Sequence, residues 1–284
     1  NSFDGNRITT YHKHKYPELA DNNIERIVID DKNRIWLRTN THYLTLLDEK
    51  RKFHRIKVGD TTDQNNISAI FHTSSHGLIV LKGRQHYFQK KGMDTVFEKK
   101  DLPFDKQLTG NTGFTYFLDN DRVIYYRGSA LVVADYGSMK ILLQLSFPGL
   151  NGAYSINDDE LIAFTRKGDV FYRISISQKK MIKEYRNVKD QYGLPLNGEL
   201  RNMTRIDSNK FAFTTYFSGL YILDLQKETA QHWVHDPVDP RSIGGNNTFN
   251  IRYDTSGYLL VTTQTSGLHF YNLKQQQATI KPYF

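Results

Sequence analysis

Two stretches near the C-terminal end of the chain decide its fold, "TTYFSGLYILDL" at residues 214–225 and "TTQTSGLHFYNL" at residues 262–273. Each is typical of a β-hairpin, because two apolar runs flank a polar turn that contains Ser-Gly. The second stretch repeats the first at an offset of 262 − 214 = 48 residues, with Thr, Thr, Ser, Gly, Leu and the final Leu in register. A repeat of this length predicts an array of similar structural modules.

The same order of apolar strand, polar turn, apolar strand, small-residue turn and third strand occurs six times along the chain, and the first turn contains Asp or Asn in five of the six copies. Asp30 and Asp254 occupy equivalent turns five repeats apart, which gives (254 − 30)/5, or about 45 residues per module. A short fourth strand is predicted after each copy, the last being "TIKPYF" at residues 279–284. Modules of four short strands and this length are typical of propeller blades. The blade-like repeats are predicted at about residues 21–56, 65–100, 111–146, 151–186, 198–236 and 246–284.

The second strand of each repeat, such as "GLIVL" at residues 77–81 or "ELIAF" at residues 160–164, is a nearly continuous apolar run. Such runs indicate burial on both faces, which a blade between two neighbours requires and a one-sided sheet does not. We therefore predict an all-β fold, a β-propeller of four-stranded antiparallel blades, with residues 1–284 as one domain. Residues 1–20 are predicted to hold the outer strand of an adjoining blade, so that six or seven blades, in a complete or incomplete ring, are the alternatives.

The composition excludes several classes of chemistry. The absence of cysteine excludes disulfides, thiolate metal ligands and a cysteine nucleophile. The net charge of +8 is spread without a run of five basic residues, so no nucleic-acid partner is expected for this segment. The longest purely apolar run, "ALVVA" at residues 130–134, is far shorter than the roughly 20 residues that span a bilayer, so no membrane contact is expected either.

The chain lacks the sequence motifs of common catalytic and metal sites. It has no Gly-rich phosphate loop, no GxSxG elbow and no HExxH motif, so this segment is not expected to be an enzyme or to hold a cofactor. The pairs His12/His14 and His232/His235 lack further ligands in the sequence, and we predict no metal site. The Asp residues of the first turns, including Asp30, are expected to accept hydrogen bonds from their own turn backbone rather than to act as paired catalytic carboxylates.

The turns between second and third strands, with the positions beside them, hold the candidate ligand-binding residues. Planar guanidinium groups and aromatic faces suit a sugar acid or a sulfated sugar, although exposed arginine is also common on ordinary loops. Tyr216 and Phe217 are the most specific of these, because the sister hairpin has Gln264 and Thr265 at the same positions. The hairpin itself does not require aromatic residues there, and packing against a neighbouring domain is the other explanation for them. The predicted ligand-binding residues are Arg38, His42, Arg84, His86, Arg127, Arg166, Tyr216, Phe217 and Gln264.

The last repeat, "HWVHDPVDPRSIGGNNTFNIRYDTSGYLLVTTQTSGLHFYN" at residues 232–272, resembles the two-component regulator propeller repeat. In that family an aromatic residue precedes "HDP.DP.S", and "N.V..I..D..G.LW.GT...GL..Y" follows. This copy departs from the pattern at Thr248, Leu260 and Thr262, where the family prefers Val, Trp and Gly. The matching positions are His235, Asp236, Pro237, Asp239, Pro240, Ser242, Asn246, Ile251, Asp254, Gly257, Leu259, Thr263, Gly267, Leu268 and Tyr271.

The first repeat also resembles this family, with "IW" at residues 35–36, but it departs at Arg38 and Tyr43, where the family has Gly. The resemblance implies the extracytoplasmic, ligand-sensing propeller of a hybrid two-component system from Bacteroidetes, located in the periplasm and detecting oligosaccharides, neutral or anionic. It also implies adjacent propeller or sensor domains, a membrane helix, a histidine kinase and a DNA-binding regulator outside these residues, and a homodimer of the full-length sensor. The alternatives are a structural propeller without its own ligand and a propeller glycosidase or lyase.

Overall fold

The computed structural model of the chain describes residues 2–3, 7–60, 65–83, 85–104, 115–118, 121–127 and 129–276. These residues form 25 β-strands and one four-residue helix. Apart from a two-stranded sheet near the N-terminus, the strands form six antiparallel sheets, in each of which successive strands are neighbours. The predicted all-β class and propeller architecture are therefore confirmed, with six blades, and the strands of each blade follow one another in chain order.

The chain comprises two compact units, residues 1–127 with 132–142, and residues 128–131 with 143–284. The first unit holds a two-stranded sheet (β1–β2), sheet 1 (β3–β6), sheet 2 (β7–β10) and most of sheet 3 (β11–β14). Their bounds are β1 Ser2–Phe3, β2 Ile8–Thr9, β3 Ile24–Ile29, β4 Ile35–Thr39, β5 Tyr43–Leu47, β6 Phe53–Lys57, β7 Ile67–Thr73, β8 Gly77–Lys82, β9 Gln85–Lys90, β10 Met93–Lys100, β11 Thr115–Phe117, β12 Arg122–Arg127, β13 Ala130–Asp135 and β14 Lys140–Ser146.

The second unit holds sheet 4 (β15–β18), sheet 5 (β19–β22) and sheet 6 (β23–β25), with a short helix, α1, after the last strand. Sheet 6 has three strands within the described residues, and the fourth strand predicted at residues 279–284 lies outside them. The bounds are β15 Leu150–Ser155, β16 Glu160–Thr165, β17 Val170–Ser175, β18 Lys180–Arg186, β19 Glu199–Arg205, β20 Lys210–Tyr216, β21 Leu220–Asp224, β22 Thr229–Trp233, β23 Thr248–Tyr253, β24 Tyr258–Thr263, β25 Gly267–Asn272 and α1 Leu273–Gln276.

The hydrophobic core of the second unit lies in layers between successive sheets. Phe211 and Phe213 of β20 belong to the same buried cluster as Phe171 of sheet 4. Ala212, which points to the other side of β20, belongs to a cluster with Val261 of sheet 6. Burying a large apolar side chain stabilises the fold by about 1.5–3 kcal/mol, so each middle sheet gains this on both of its faces.

The first unit repeats this arrangement at strand β8. Leu78 and Val80 pack with Trp36 of sheet 1, whereas Ile79 and the next alternate residue, Leu81, belong to a cluster with sheet 3. Alternate side chains of a strand point to opposite faces, which explains why an uninterrupted apolar run occurs here. The prediction that the second strands are buried on both faces is thereby confirmed for these blades.

The predicted backbone role of the turn carboxylates is confirmed at Asp30 and Asp254. Asp30 Oδ1 accepts the backbone N–H groups of Lys32 and Arg34 at 3.0 Å each, and Asp254 Oδ1 accepts the backbone N–H of Tyr258 at 2.8 Å. These bonds satisfy the donors of a tight turn and fix the position where the second strand begins.

The N-terminal residues were predicted to hold an outer strand of an adjoining blade. In the structure, Ile8–Thr9 pairs with Ser2–Phe3 in an antiparallel pair of its own. The assignment of residues 1–20 to a blade stays a prediction. In the described part of the chain, no helix has the length and apolar character needed to cross a membrane.

Candidate functional site

The predicted site residues of the first unit lie beside the segment that leads into β7. Arg38, on β4, forms an ion pair with Glu25 at 2.7 Å and donates a hydrogen bond to the carbonyl oxygen of Ile67 at 3.0 Å. His42, in the turn after β4, donates from Nδ1 to the carbonyl oxygen of Asn65 at 3.0 Å. Both side chains therefore link sheet 1 to the start of sheet 2, and their predicted role in ligand binding remains untested.

The other predicted residues of the first unit are Arg84, His86 and Arg127. His86 lies on strand β9 and is 3% exposed, with its ring 6.0 Å from that of Tyr136, which corrects its predicted position in a solvent-facing turn. The turn before it is made instead by Gly83 in the left-handed conformation, with φ 59°. Arg84 and the side chain of Arg127 lie outside the described residues.

In the second unit the structure brings the predicted residues to one edge of the sheets, where second and third strands meet. Arg166, after β16, contacts Glu199 at the start of β19 through two nitrogen atoms, Nε at 2.9 Å and Nη2 at 2.7 Å. Glu199 pairs in the sheet with Tyr216, the last residue of β20. Tyr216 and Phe217 are 43% and 61% exposed, so neither ring is part of the core.

The turn from β20 to β21 holds the two aromatic rings in an edge-to-face pair with centroids 4.2 Å apart. Phe217 has a positive φ of 65°, a conformation that is unusual for a bulky L-residue. Gly219, with φ 74°, completes the turn, and a Cβ there would lie 2.2 Å from the carbonyl oxygen of Trp233. His232 also holds this turn, since its Nε2 donates to the carbonyl oxygen of Ser218 at 2.7 Å.

The centre of this edge is a residue that sequence analysis did not select. The guanidinium carbon of Arg201, on β19, lies 4.0 Å from the ring centroid of Tyr216 and 4.1 Å from that of Phe249, on β23. Arg201 Nη1 donates to Asn247 Oδ1 at 3.1 Å and to the carbonyl oxygen of Thr248 at 3.3 Å. The cation therefore contacts two aromatic rings and is anchored to the next blade.

The last predicted residue, Gln264, joins the same row of side chains. Its Oε1 accepts a hydrogen bond from Asn247, the residue that also accepts from Arg201. Arg166, Tyr216, Phe217 and Gln264 thus lie along one edge of sheets 4, 5 and 6. We call this set, together with Glu199, Arg201, Asn247 and Phe249, the aromatic edge.

The 48-residue repeat contains the signal that could have identified the missed residues. Arg201 and Phe249 are equivalent positions of successive repeats, since 249 − 201 = 48. The neighbouring equivalent pair, Asn202 and Asn250, is joined directly by a hydrogen bond from Nδ2 to Oδ1 at 2.6 Å. Equivalent positions of successive blades therefore lie side by side here, so an arginine in one repeat and an aromatic residue in the next are brought into contact.

The chemistry of the aromatic edge is that of a binding surface. Exposed rings offer flat apolar faces, and asparagine and glutamine amides offer both donors and acceptors, which together suit a hydroxylated ligand with apolar faces. Burial lowers the pKa of Arg201, against the opposing effect of the nearby Glu199 carboxylate, but a guanidinium still carries its charge at neutral pH. The edge therefore combines stacking surfaces, neutral hydrogen-bonding groups and a cation.

A separate cavity of about 340 Å³ lies at the other end of sheets 5 and 6. Its wall contains Trp233 and Tyr253, and none of the predicted site residues borders it. Its remaining lining residues are Ile206, Asp207, Lys210, Ile222, Asp224, Lys227, Thr229, Ala230, Gln231, Leu273 and Lys274.

The histidine pairs weighed as metal ligands have other contacts in the structure. The rings of His12 and His14 are stacked with centroids 5.3 Å apart, and His12 Nε2 contacts the side-chain amide of Asn22 at 3.2 Å. His235 Nδ1 donates to the carbonyl oxygen of Ile243 at 2.7 Å. Within the described ranges, no three His, Asp or Glu side chains are grouped as a metal site would require.

Comparisons with known proteins identify the fold. Neither the family models nor the curated proteins gave a match to this sequence. Among solved structures, the chain is similar to the extracellular domain of a putative hybrid two-component system from B. thetaiotaomicron, with a TM-score of 0.63 and 12% identity. The match covers 95% of this chain and 35% of that one, so the present chain spans about a third of that domain.

Propellers of other kinds are also similar in structure. A catalytically inactive virginiamycin B lyase from Staphylococcus aureus, solved with quinupristin, has a TM-score of 0.63 at 13% identity over 87% of this chain and 79% of the lyase. The WD40 domain of Pan2 from Neurospora crassa has a TM-score of 0.58 at 11% identity over 88% of this chain and 76% of that domain. At these identities the likeness establishes the propeller fold and leaves the function to the residues of this chain.

Proposed function

We propose that this chain is a ligand-sensing propeller from the extracytoplasmic part of a hybrid two-component system, and that it binds an oligosaccharide at the aromatic edge. The observation that carries the proposal is a group of exposed rings, in which Tyr216 and Phe249 contact Arg201 and Phe217 packs on Tyr216. The core does not need these rings, since they are between 40% and 61% exposed. Exposed aromatic residues that no fold requirement explains are typical of recognition surfaces.

The sensor assignment is supported by two independent likenesses. The repeat "HDPVDPRS" at residues 235–242 resembles the two-component regulator propeller family, and the fold is similar to that of a sensor's extracellular domain. In such a sensor the ligand acts by binding one arrangement of neighbouring domains more tightly than another. The partners in this proposal are the adjacent propeller or sensor domains of the same periplasmic region and a second copy of the full-length sensor.

Calorimetric titration of the chain with neutral and acidic oligosaccharides tests the proposal. Tyr216→Ala and Phe249→Ala are each expected to weaken binding about tenfold, because the loss of a central aromatic contact costs more than about 1 kcal/mol. Tyr258→Ala is the matched control, since Tyr258 is 38% exposed but lies at the opposite end of β24. Its affinity is expected to equal that of the unsubstituted chain.

The alternative hypotheses predict different results in the same experiment. A structural propeller without its own ligand binds no saccharide, and a glycosidase or lyase converts the titrated sugar to products that chromatography detects. Arg38→Ala tests the candidate residues of the first unit. A loss of binding in that variant alone would assign the site to the first unit and contradict a site at the aromatic edge.

A further inference from the structure

Within the described residues, one edge of the Arg201 guanidinium makes no hydrogen bond to protein. The rings of Tyr216 and Phe249 lie against the guanidinium group, and its Nη1 is used by Asn247 and Thr248. In the described part of the chain, its Nε and Nη2 make no hydrogen bond to protein and are not among the buried atoms that lack a partner. The Nε–Nη2 edge of a guanidinium is the fork that binds carboxylate or sulfate oxygens in pairs.

Other arginines that sequence analysis selected are already neutralised. Arg38 pairs with Glu25 at 2.7 Å, and Arg166 binds Glu199 through two nitrogen atoms. Arg201 has no carboxylate within ion-pair distance among the described residues, although Glu199 is close enough to raise its pKa. By holding Glu199, Arg166 keeps the nearest carboxylate occupied and leaves the charge of Arg201 available.

From this geometry we infer that Arg201 is the specificity-determining residue of the aromatic edge, and that the ligand is an acidic saccharide whose carboxylate or sulfate binds the Nε–Nη2 fork. Tyr216 and Phe249 fix the plane of the guanidinium, so little side-chain freedom is lost when the anion binds. Phe217, which packs edge-to-face on Tyr216 and is 61% exposed, offers a further aromatic surface for the sugar ring. This inference rests on the proposed function and goes beyond it by naming the chemical class of the ligand.

The experiment compares charged probes with their neutral counterparts on the intact chain. The probes are an oligogalacturonate and its methyl ester, and a sulfated oligosaccharide and its desulfated form, titrated by calorimetry at low and physiological salt. We expect the charged form of a pair to bind at least tenfold more tightly than the neutral form, and its affinity to fall as salt rises. Preference for the uronate assigns a carboxylate, and preference for the sulfated probe assigns a sulfate ester.

Three variants separate anion recognition from a structural role. Arg201→Gln is expected to weaken binding of the charged probe about ten- to a hundredfold, the range for loss of a charged hydrogen-bonded pair, and to remove most of the preference for the charged over the neutral probe. Glu199→Gln is expected to strengthen binding of the charged probe, because it removes a negative charge close to Arg201 that would repel an anion at the fork. Arg252→Gln, an exposed arginine on β23, removes the same charge from the neighbouring strand and is the matched control.

The outcomes separate failure of this inference from failure of the proposed function. If charged and neutral probes bind with equal affinity and Tyr216→Ala weakens binding of both, the role of Arg201 is overturned, whereas sugar binding at the aromatic edge is supported. Absence of binding by any saccharide overturns both. If Arg252→Gln weakens binding of the charged probe as much as Arg201→Gln does, binding depends on the net charge of +8, and the inference is also overturned.

Discussion

The turn at Phe217 allows a direct test of whether an aromatic residue of the proposed site reduces the free energy of unfolding. Phe217 has φ 65° and is 61% exposed, so its backbone is in the left-handed region while its ring is mostly in solvent. For a residue with a Cβ, this conformation costs about 1–2 kcal/mol of folding free energy, whereas for glycine it costs almost nothing. We therefore expect Phe217→Gly to be more stable than Phe217→Ala by about 1 kcal/mol.

The comparison of the two variants isolates the backbone because both remove the ring and its contact with Tyr216. In ordinary positions alanine is more stable than glycine by about 0.5–1 kcal/mol, so the expected order is reversed. The matched control is Thr265, the equivalent residue of the next repeat (217 + 48 = 265), which does not have a positive φ. Thr265→Ala is expected to be at least as stable as Thr265→Gly.

Urea unfolding followed by tryptophan fluorescence measures these differences as shifts of the midpoint at constant slope. In thermal unfolding the same difference corresponds to about 2 °C for a chain of this size. If Phe217→Ala proves as stable as Phe217→Gly, the left-handed turn is not strained and the reasoning is refuted. In the proposed site the ring of Phe217, and not its backbone, would contact the ligand, so both variants should weaken saccharide binding equally.

Other predictions concern the buried network around Asp30 and the turn at Gly219. Asp30→Asn should cost about 3 kcal/mol of unfolding free energy in urea titration, because Asp30 pairs with the buried Arg34 at 2.7 Å. Burial raises the pKa of Asp30, but hydrogen bonds from Arg34 and Trp36 outweigh it and hold the pKa below its usual value, so this stabilisation is complete above about pH 4 and is lost as the pH falls through the folded pKa. The difference between the chain and Asp30→Asn should therefore shrink in acid, and a constant difference down to pH 2 would contradict the assignment. Trp36→Phe removes the donor that lies 2.9 Å from Asp30 and should cost about 1–3 kcal/mol in the same assay, whereas an unchanged midpoint would show that this bond contributes nothing. Gly219→Ala should lower the melting temperature, because the added Cβ would meet the carbonyl oxygen of Trp233; unchanged melting would show that the turn can relax.

The blade pattern could be predicted because it depends on short-range regularities. The apolar runs of β8 and β20 indicate burial on two faces, and the polar turns before them indicate where the strands begin. Strand pairing within a blade follows from chain order, since short turns make successive strands antiparallel neighbours. Five of the six predicted fourth strands are observed for the same reason, and the sixth lies outside the described residues.

The candidate site was only partly predictable. Sequence analysis selected Tyr216 and Phe217 from their contrast with Gln264 and Thr265, a comparison that needs no coordinates. It missed Arg201 because an arginine near a strand start is common, and its importance comes from Phe249 and Tyr216 on its two sides. It also placed His86 in an exposed turn. In the structure the turn is at Gly83, which has a positive φ, and His86 lies on strand β9.

The sequence by itself determined the all-β class, the blade length and the order of the strands, because alternation, turn chemistry and repeat length act between residues close in the chain. Only the tertiary structure decided which charges are available. Arg38 and Arg166 look like free cations in the sequence, but they pair with Glu25 and Glu199, whereas Arg201 contacts two rings and has no carboxylate partner within the described residues. The reason is physical: an ion pair depends on distances of a few ångströms between residues up to 33 positions apart, and only the packed sheets set those distances.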